Sequence, residues 1–296
     1  MGGIAPSAYA LRRAIGLPQR AVTLKAVARV SVRDSLEQDG LVISFLICAS
    51  ARTGTNLLAT ALRRTGVAGW PFEYFSAELA NQPFMLSRLG NIAASAGAPD
   101  FAARLPLIIR AGSTDNGVFG STVHWVQMKN LMAAIGHAGE PILPPSPDAV
   151  ASLSASFPGL RFIQLTRQNT VAQAISHYRA MKTGRWSELA REPAAAAPVD
   201  LPFDEATILR LKQGAETDAA GWEAFLAGRP EPKLALTYEA LSADFHETIR
   251  RVLEFLDIRA SEVNIPPPNF RRQADALSLE WEDRIRGIPA QGGTGT

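Results

Sequence analysis

Apolar residues fall in short runs separated by longer stretches of helical periodicity. Residues 41–49 form an apolar run short enough for a buried strand. The chain then turns small and polar from Ser50 to Asn56, and Leu57, Leu58, Ala61 and Leu62 resume at helical spacing. Gly66 predicts the cap of that helix, with Arg63 and Arg64 in its last turn, where cations suit the dipole. Residues 117–126 read as a strand with glycine punctuation, and residues 161–166 as a second core strand running into Arg167. Residues 168–183 follow with Val171, Ala174, Ile175, Tyr178 and Met181 on one helical face. A long helix with an acidic start is expected over 204–227, apolar at Ile208, Leu211, Ala215, Ala219, Trp222 and Leu226. Another strand is expected over 233–237 and an amphipathic helix over 245–256. Residues 77–116 read as helical material broken by loops, 138–147 as a proline-rich surface loop, and 190–202 as an excursion rich in Ala and Pro. Strands separated by helices imply an α/β protein: a three-layer, P-loop-like fold with a central parallel sheet. Its ligand site belongs at the carboxyl ends of the strands.

Composition narrows the class. The chain has 296 residues, 47% hydrophobic and 20% charged, enough for a sizeable core. We place one domain over 41–290, preceded by a basic extension over 1–40. A net charge of only +2 speaks against a nucleic-acid binder and suits a small polyanionic cofactor. The single cysteine, Cys48, lies in the first strand run, which excludes a disulfide framework and fits a buried thiol in a reducing, cytoplasmic setting. Four scattered histidines and that cysteine offer no metal-ligand spacing, and no apolar run approaches a membrane span. Up to Arg33 the chain carries Arg12, Arg13, Arg20, Lys25, Arg29 and Arg33 with no acidic residue and no hydrophobic segment of a secretory signal. A poorly ordered extension is the plainer reading; an amphipathic helix in peripheral contact with a membrane surface is the other.

The candidate chemistry starts at residues 50–56. A strand, a tight loop bearing Gly54 and a helix present several backbone N–H groups at a helix N-terminus, an anion site. A Walker A loop needs a second glycine followed by lysine and Ser/Thr, yet here Thr55 and Asn56 follow Gly54 and Arg52 is the only cation. A guanidinium fork suits phosphate or sulfate, and nothing is arranged for magnesium. No aspartate ends the 161–166 strand, so the usual magnesium ligand of a P-loop kinase is missing there as well. The loop therefore fits transfer of a singly charged sulfuryl group better than chemistry on a metal-bridged triphosphate. Ordinary strand–turn–helix packing is the competing reading of the loop by itself.

Further motifs stand in order along the chain: residues 49–58 (ASARTGTNLL), 65–69 (TGVAG), 72–75 (FEYF), 117–120 (GVFG) with Trp125, 167–186, and 272–275 (RQAD) with Glu280 and Trp281. On these the chain from about 41 to 286 resembles the bacterial trehalose 2-sulfotransferase family, which takes its sulfuryl group from 3′-phosphoadenosine 5′-phosphosulfate (PAPS). Glu73 stands in sequence among Trp70, Phe72, Tyr74 and Phe75, apolar surroundings that suit a general base acting on a hydroxyl. The resemblance implies that Glu73 is the catalytic base. It implies that Arg52, Thr53, Gly54, Thr55 and Asn56 hold the sulfuryl group and the 5′-phosphate, with Arg52 stabilising charge during transfer. It places Arg167, Ser176, Arg272 and Gln273 on the 3′-phosphate. Members of the family carry a second acidic residue where this chain has Trp70, whose indole suits stacking on a sugar face, and a lysine where it has Thr122. His124 is retained as an acceptor contact or secondary acid/base, and Glu239 belongs to a structural Tyr-Glu-x-Leu turn after the last strand. The expected activity is metal-free transfer to a hydroxyl of a carbohydrate or glycolipid, by a homodimer. A metal-free nucleotide-binding module without turnover and a P-loop small-molecule kinase remain open beside it.

Overall fold

Strand β1 (Ile43–Ala49) is buried along its length after Ile43, and successive side chains enter two different cores. Phe45, Ile47 and Ala49 face one cluster, while Leu46 and Cys48 face the other. A strand covered on both faces belongs inside a parallel sheet with helices on either side. The computed structural model shows this arrangement; it describes residues 40, 42–77, 101–186, 201–270 and 275–287. The sheet order is β2 (Val118–His124), β1, β3 (Arg161–Thr166), β4 (Lys233–Thr237), and every pair is parallel.

The connecting helices divide between the faces. Helix α1 (Thr55–Thr65) leaves β1 and packs Leu58, Ala59 and Leu62 on the first cluster. The same cluster takes in Leu241 of α7 (Tyr238–Ala243) and Ile249, Val252 and Leu253 of α8 (Phe245–Phe255). On the opposite face lie α2 (Phe101–Gly112), α3 (Met128–Ala134), α4 (Pro147–Ser156) and the C-terminal half of α6 (Glu205–Leu226). A smaller third cluster joins α5 (Thr170–Thr183), the start of α6 and α9 (Ala276–Ile285) through Ile175, Tyr178, Ile208 and Trp281. The three-layer α/β fold with a central parallel sheet is as expected. Because β1 leads to β2 on one side and its neighbour β3 leads to β4 on the other, the connections diverge between the carboxyl ends of β1 and β3, where such sheets bind ligands.

Several boundaries differ from the periodicity. Helix α1 begins at Thr55, ahead of the first apolar residue, because its start is set by Gly54 at the N-cap and not by burial. Strand β2 stops at His124, and a 3₁₀ turn (Trp125–Gln127) follows. That turn carries Trp125 edge-on to Trp222 of α6, ring centroids 5.3 Å apart. Gly221 makes room for it, since a Cβ there would stand 2.3 Å from the indole. Met181, expected on the buried face of α5, is 53% exposed: it lies one turn past Tyr178, beyond the small cluster that Trp281 covers. Cys48 is fully buried, and burial pushes its thiol well above the usual range. Residues 1–39, 78–100 and 187–200 lie outside the described residues, so the expectations for the basic extension and for the Ala/Pro excursion (except 201–202) fall there.

Candidate active site

The loop after β1 is held in an unusual conformation by neighbours on every side. Arg52 has φ 67° and Gly54 φ 92°, both in the left-handed region. For a non-glycine residue that conformation costs about 1–3 kcal/mol and persists only where surrounding contacts over-determine it. Here Arg167 Nη1 donates to the carbonyl of Arg52 at 3.2 Å, and Arg52 Nε donates to Ser176 Oγ at 3.0 Å. The carbonyl of Trp186 takes a further bond from Arg52. Thr53, 1% exposed, turns its hydroxyl back onto the Ser50 carbonyl at 3.0 Å. Its side chain thus shapes the loop and does not reach outward. Gln173 completes the bracing, with its amide donating to Ser50 Oγ (2.9 Å) and to the Ala51 carbonyl (2.7 Å).

What remains open is a helix N-terminus. Helix α1 has no side-chain cap and no acidic residue in its first turn, so the N–H groups of its opening residues are available to an anion. Thr55 is buried there and Asn56 exposed. Two cations flank this opening. Arg167 lies over the Tyr238 ring, 4.4 Å from its centroid, and burial followed by the charge of Arg167 brings Arg52 down to about 10. Arg52 therefore stays charged at neutral pH while each guanidinium raises the cost of the other, a strain that an oxyanion between them relieves.

The same ring of Tyr238 limits Gly54. A Cβ at Gly54 would come 2.8 Å from Tyr238 Cδ2, in a backbone region side chains avoid. Gly54→Ala is expected to destabilise the protein by about 1–3 kcal/mol and to displace the ring that supports Arg167. Scanning calorimetry and anion affinity measured on one preparation would check both effects, and an unchanged melting temperature would contradict this account.

A second group of residues gathers at the end of β2. The carbonyl of Phe72 accepts from Thr122 N (2.9 Å) and from Ser121 Oγ (3.0 Å), stitching the 70–76 segment onto the strand. Tyr74 and Phe75 turn into the core with 0% exposure. Glu73, which stands between Phe72 and Tyr74 in the chain, points outward, its side chain 32% exposed. Of the four aromatics around it in sequence, the larger cluster draws Tyr74 and Phe75 fully inward, and polar residues lie against its carboxylate. Gln127 Nε2 donates to Glu73 Oε2 at 2.9 Å, while Gln127 Oε1 accepts the His124 backbone N–H at 3.1 Å. Only the amide oxygen can take that N–H, so the orientation of the buried amide is settled and its NH₂ must face Glu73. His124 Nδ1 lies 3.7 Å from the same carboxylate oxygen. His177 is within electrostatic reach of both Arg52 and His124, and burial is the main cause that lowers it. The anion loop and the Glu73 group are therefore neighbours. Trp70 is half-buried, its backbone N–H donating to the Gly112 carbonyl (2.6 Å) and its carbonyl accepting from the Tyr74 hydroxyl (2.9 Å).

The family model for Stf0 sulphotransferases matches residues 44–287, which takes in both groups. The chain belongs to the Stf0 sulphotransferase family. The trehalose 2-sulfotransferase of Mycolicibacterium smegmatis is 29% identical over 269 residues, covering 82% of this chain and 94% of that protein. The enzyme of the same name from Mycobacterium tuberculosis is 26% identical over 261 residues, again covering 82% and 94%. Among solved structures, a sulfotransferase from Alicyclobacillus acidocaldarius matches with TM-score 0.44 and 15% identity, over 83% of this chain and 92% of that one. A sulfotransferase domain from the curacin biosynthetic pathway matches with TM-score 0.41 and 14% identity, over 86% and 94%.

Within this sulphotransferase, the structure brings Arg52, Thr53, Gly54, Thr55, Asn56, Arg167 and Ser176 together, and sets Glu73 beside His124 nearby. Arg272 and Gln273 lie outside the described residues. The residue that follows them closely, Asp275, is bound by Arg179 of α5 at 2.5 and 2.7 Å, and that bond is the main cause holding its carboxyl down to about 2. Arg179 stands three residues beyond Ser176 on the same helix. Sequence reasoning passed over Gln127, Gln173 and Tyr238. A signal existed for Gln173: it lies three residues before Ser176 and shares its helical face. In the sequence Tyr238 stands out only as part of a Tyr-Glu-x-Leu motif, and Gln127 carries no signal at all. Glu239 accepts the backbone N–H groups of Gln168 and Asn169 at 3.1 and 3.3 Å, tying the first turn of the Tyr238–Ala243 helix to the residues that follow β3.

Proposed function

We propose that this sulphotransferase moves a sulfuryl group from PAPS to a hydroxyl of a carbohydrate or glycolipid, with Glu73 as the base. The observation that carries the reading is the pairing of Arg52 and Arg167 at the uncapped start of α1, next to a carboxylate held by Gln127. The site suits the donor: the guanidinium of Arg52 and helix N–H groups without a side-chain cap match a dianionic phosphosulfate end, and Arg167 beside them matches the 3′-phosphate. PAPS, when bound, supplies the sulfuryl group and leaves as adenosine 3′,5′-bisphosphate.

Glu73 accepts the hydroxyl proton as the acceptor oxygen forms its bond to sulfur and the bond from sulfur to the 5′-phosphate oxygen breaks. The N–H groups at Thr55 and Asn56, with Arg52, take up the negative charge that appears on that oxygen. Arg167 and Ser176 hold the 3′-phosphate, joined by Arg272 and Gln273. Trp70 and His124 contact the acceptor. The names of the two mycobacterial relatives support a sugar acceptor. In this reading the protein works in the cytoplasm, without a metal, as a homodimer. It is one catalytic domain over 41–290 behind a basic extension. Among the described residues no helix is long and apolar enough to cross a membrane.

Calorimetric titration with adenosine 3′,5′-bisphosphate and with ATP, both without metal, tests the donor. The bisphosphate is expected to bind with clear preference over ATP. A preference for ATP sinks the reading, as does the absence of binding by either nucleotide. Incubation with PAPS and trehalose or a glycolipid then tests turnover; bisphosphate binding without any sulfated product would favour a nucleotide-binding module, in keeping with Thr122 standing where the family carries lysine.

A further inference from the structure

Trp186 is the exposed tryptophan of the chain. Of the five, Trp222 and Trp281 are buried, Trp70 and Trp125 are half-buried, and Trp186 is 47% exposed. Single exposed aromatics are common on protein surfaces. This one is held in place at the anion loop. Helix α5 ends after Thr183, where Gly184 takes the left-handed cap at φ 68°. Thr183 Oγ1 donates to the Arg179 carbonyl at 2.7 Å and accepts the Arg185 N–H at 3.2 Å, which sets the direction of the chain past the cap. The Trp186 carbonyl then accepts from Arg52 Nη1. Its indole meets the His177 imidazole at 61°, ring centroids 5.7 Å apart.

The contacts along Arg52 give this indole its place in the site. Arg167 bonds the backbone carbonyl of Arg52, Ser176 bonds its Nε, and Trp186 bonds Nη1 at the end of the side chain. With the 3′-phosphate on Arg167 and Ser176 and the sulfuryl group at the guanidinium, Trp186 lies beyond the 3′-phosphate contacts, beside the sulfur. An acceptor oxygen has to approach in line, opposite the departing 5′-phosphate oxygen, as in phosphoryl transfer. It therefore arrives past the guanidinium and not through the start of α1. His177, lowered mainly by burial and further by the charges of Arg52 and His124, is uncharged at neutral pH. His124 Nδ1 stands 3.7 Å from Glu73 Oε2, so the aromatic pair is within reach of both groups of the site.

We propose that the exposed indole of Trp186 is the stacking surface for the acceptor, and that it selects a sugar ring over an open-chain alcohol. The inference rests on the reading of Arg52 as the contact to the sulfuryl group. A pyranose is polar around its rim and apolar on its C–H faces. An indole covers such a face and leaves the rim hydroxyls to Glu73 and Arg52. Tryptophan does this at small entropic cost, because only two torsions have to be fixed.

Two measurements on the full-length protein test the surface. The first is acrylamide quenching of tryptophan fluorescence, with and without adenosine 3′,5′-bisphosphate, using trehalose, methyl α-D-glucopyranoside and glucitol as probes. The two ring sugars are expected to protect the wild type and the open-chain glucitol is not; Trp186→Phe is expected to abolish the protection. The second is steady-state transfer to the better of the two sugars. Trp186→Ala is expected to raise its KM by about tenfold, with kcat and bisphosphate affinity changed by less than about twofold, and Trp186→Phe is expected to recover most of the loss. Both variants keep the backbone carbonyl that Arg52 bonds. The proposal is overturned if neither sugar protects, if glucitol protects equally, or if KM is unchanged in Trp186→Ala. A loss of bisphosphate affinity in that variant would also overturn it, by placing the indole on the donor. If the protein transfers no sulfuryl group, the quenching experiment still decides whether a sugar covers Trp186, and only the transfer reading falls.

Discussion

Glu73→Gln is expected to lower kcat for sulfuryl transfer by about 10²–10⁴-fold, the range over which a positioned general base contributes. The substitution keeps the shape of the side chain and a hydrogen-bonding end, so the 70–76 segment remains stitched to β2 through the Phe72 carbonyl. What it removes is the capacity to accept a proton. Bisphosphate affinity is expected to change less than twofold, because none of the anion-loop contacts involves Glu73. The decisive comparison is single-turnover rate against nucleotide affinity on the same preparation. A variant that transfers at the wild-type rate would remove Glu73 from the mechanism and leave His124 as the nearest candidate.

Arg167→Ala is expected to weaken binding of adenosine 3′,5′-bisphosphate by roughly ten- to 150-fold, since a hydrogen bond to a charged group is worth about 1.5–3 kcal/mol. Its effect reaches beyond the lost contact. Arg167 also bonds the Arg52 carbonyl and lies on Tyr238, so its removal loosens the left-handed Arg52. Arg167→Lys is therefore expected to rescue poorly, because an ammonium supplies charge without the planar fork or the stacking. The loss is expected to shrink as salt is raised, since screening weakens the wild-type contact first. Titration calorimetry at two ionic strengths checks both points, and equal affinity of wild type and Arg167→Ala would take the 3′-phosphate away from this residue. Kinetics of the variant with saturating donor should show a smaller loss of kcat than Glu73→Gln, the part that a loosened Arg52 contributes, which separates binding from the role of Glu73.

Much of the anion loop was legible from local pattern. An apolar run, a glycine and a resumed helical period define a strand, a turn and a helix start without any distant contact, and the apolar segments alternate as a parallel sheet requires. Arg167 was visible at a strand end, and Ser176 at a fixed helical interval after it. The other determinants depend on contacts distant in sequence. Gln127 acquires its role from the Glu73 carboxylate, 54 positions away along the chain. Gln173 braces carbonyl groups across 122 positions, and the Arg52–Ser176 bond spans 124. The surroundings of Glu73 show the limit most clearly: four nearby aromatics implied an apolar pocket, yet Tyr74 and Phe75 are fully buried. Adjacent residues in an irregular segment point in different directions, and burial of the rings is what turned the carboxylate toward solvent. The sequence by itself determined the strand–loop–helix and the types of charge available to it. Tertiary structure alone decided which side chains meet at the carboxyl ends of β1 and β2, because that meeting depends on sheet order and on helices α5 and α6 closing over the strands from far along the chain.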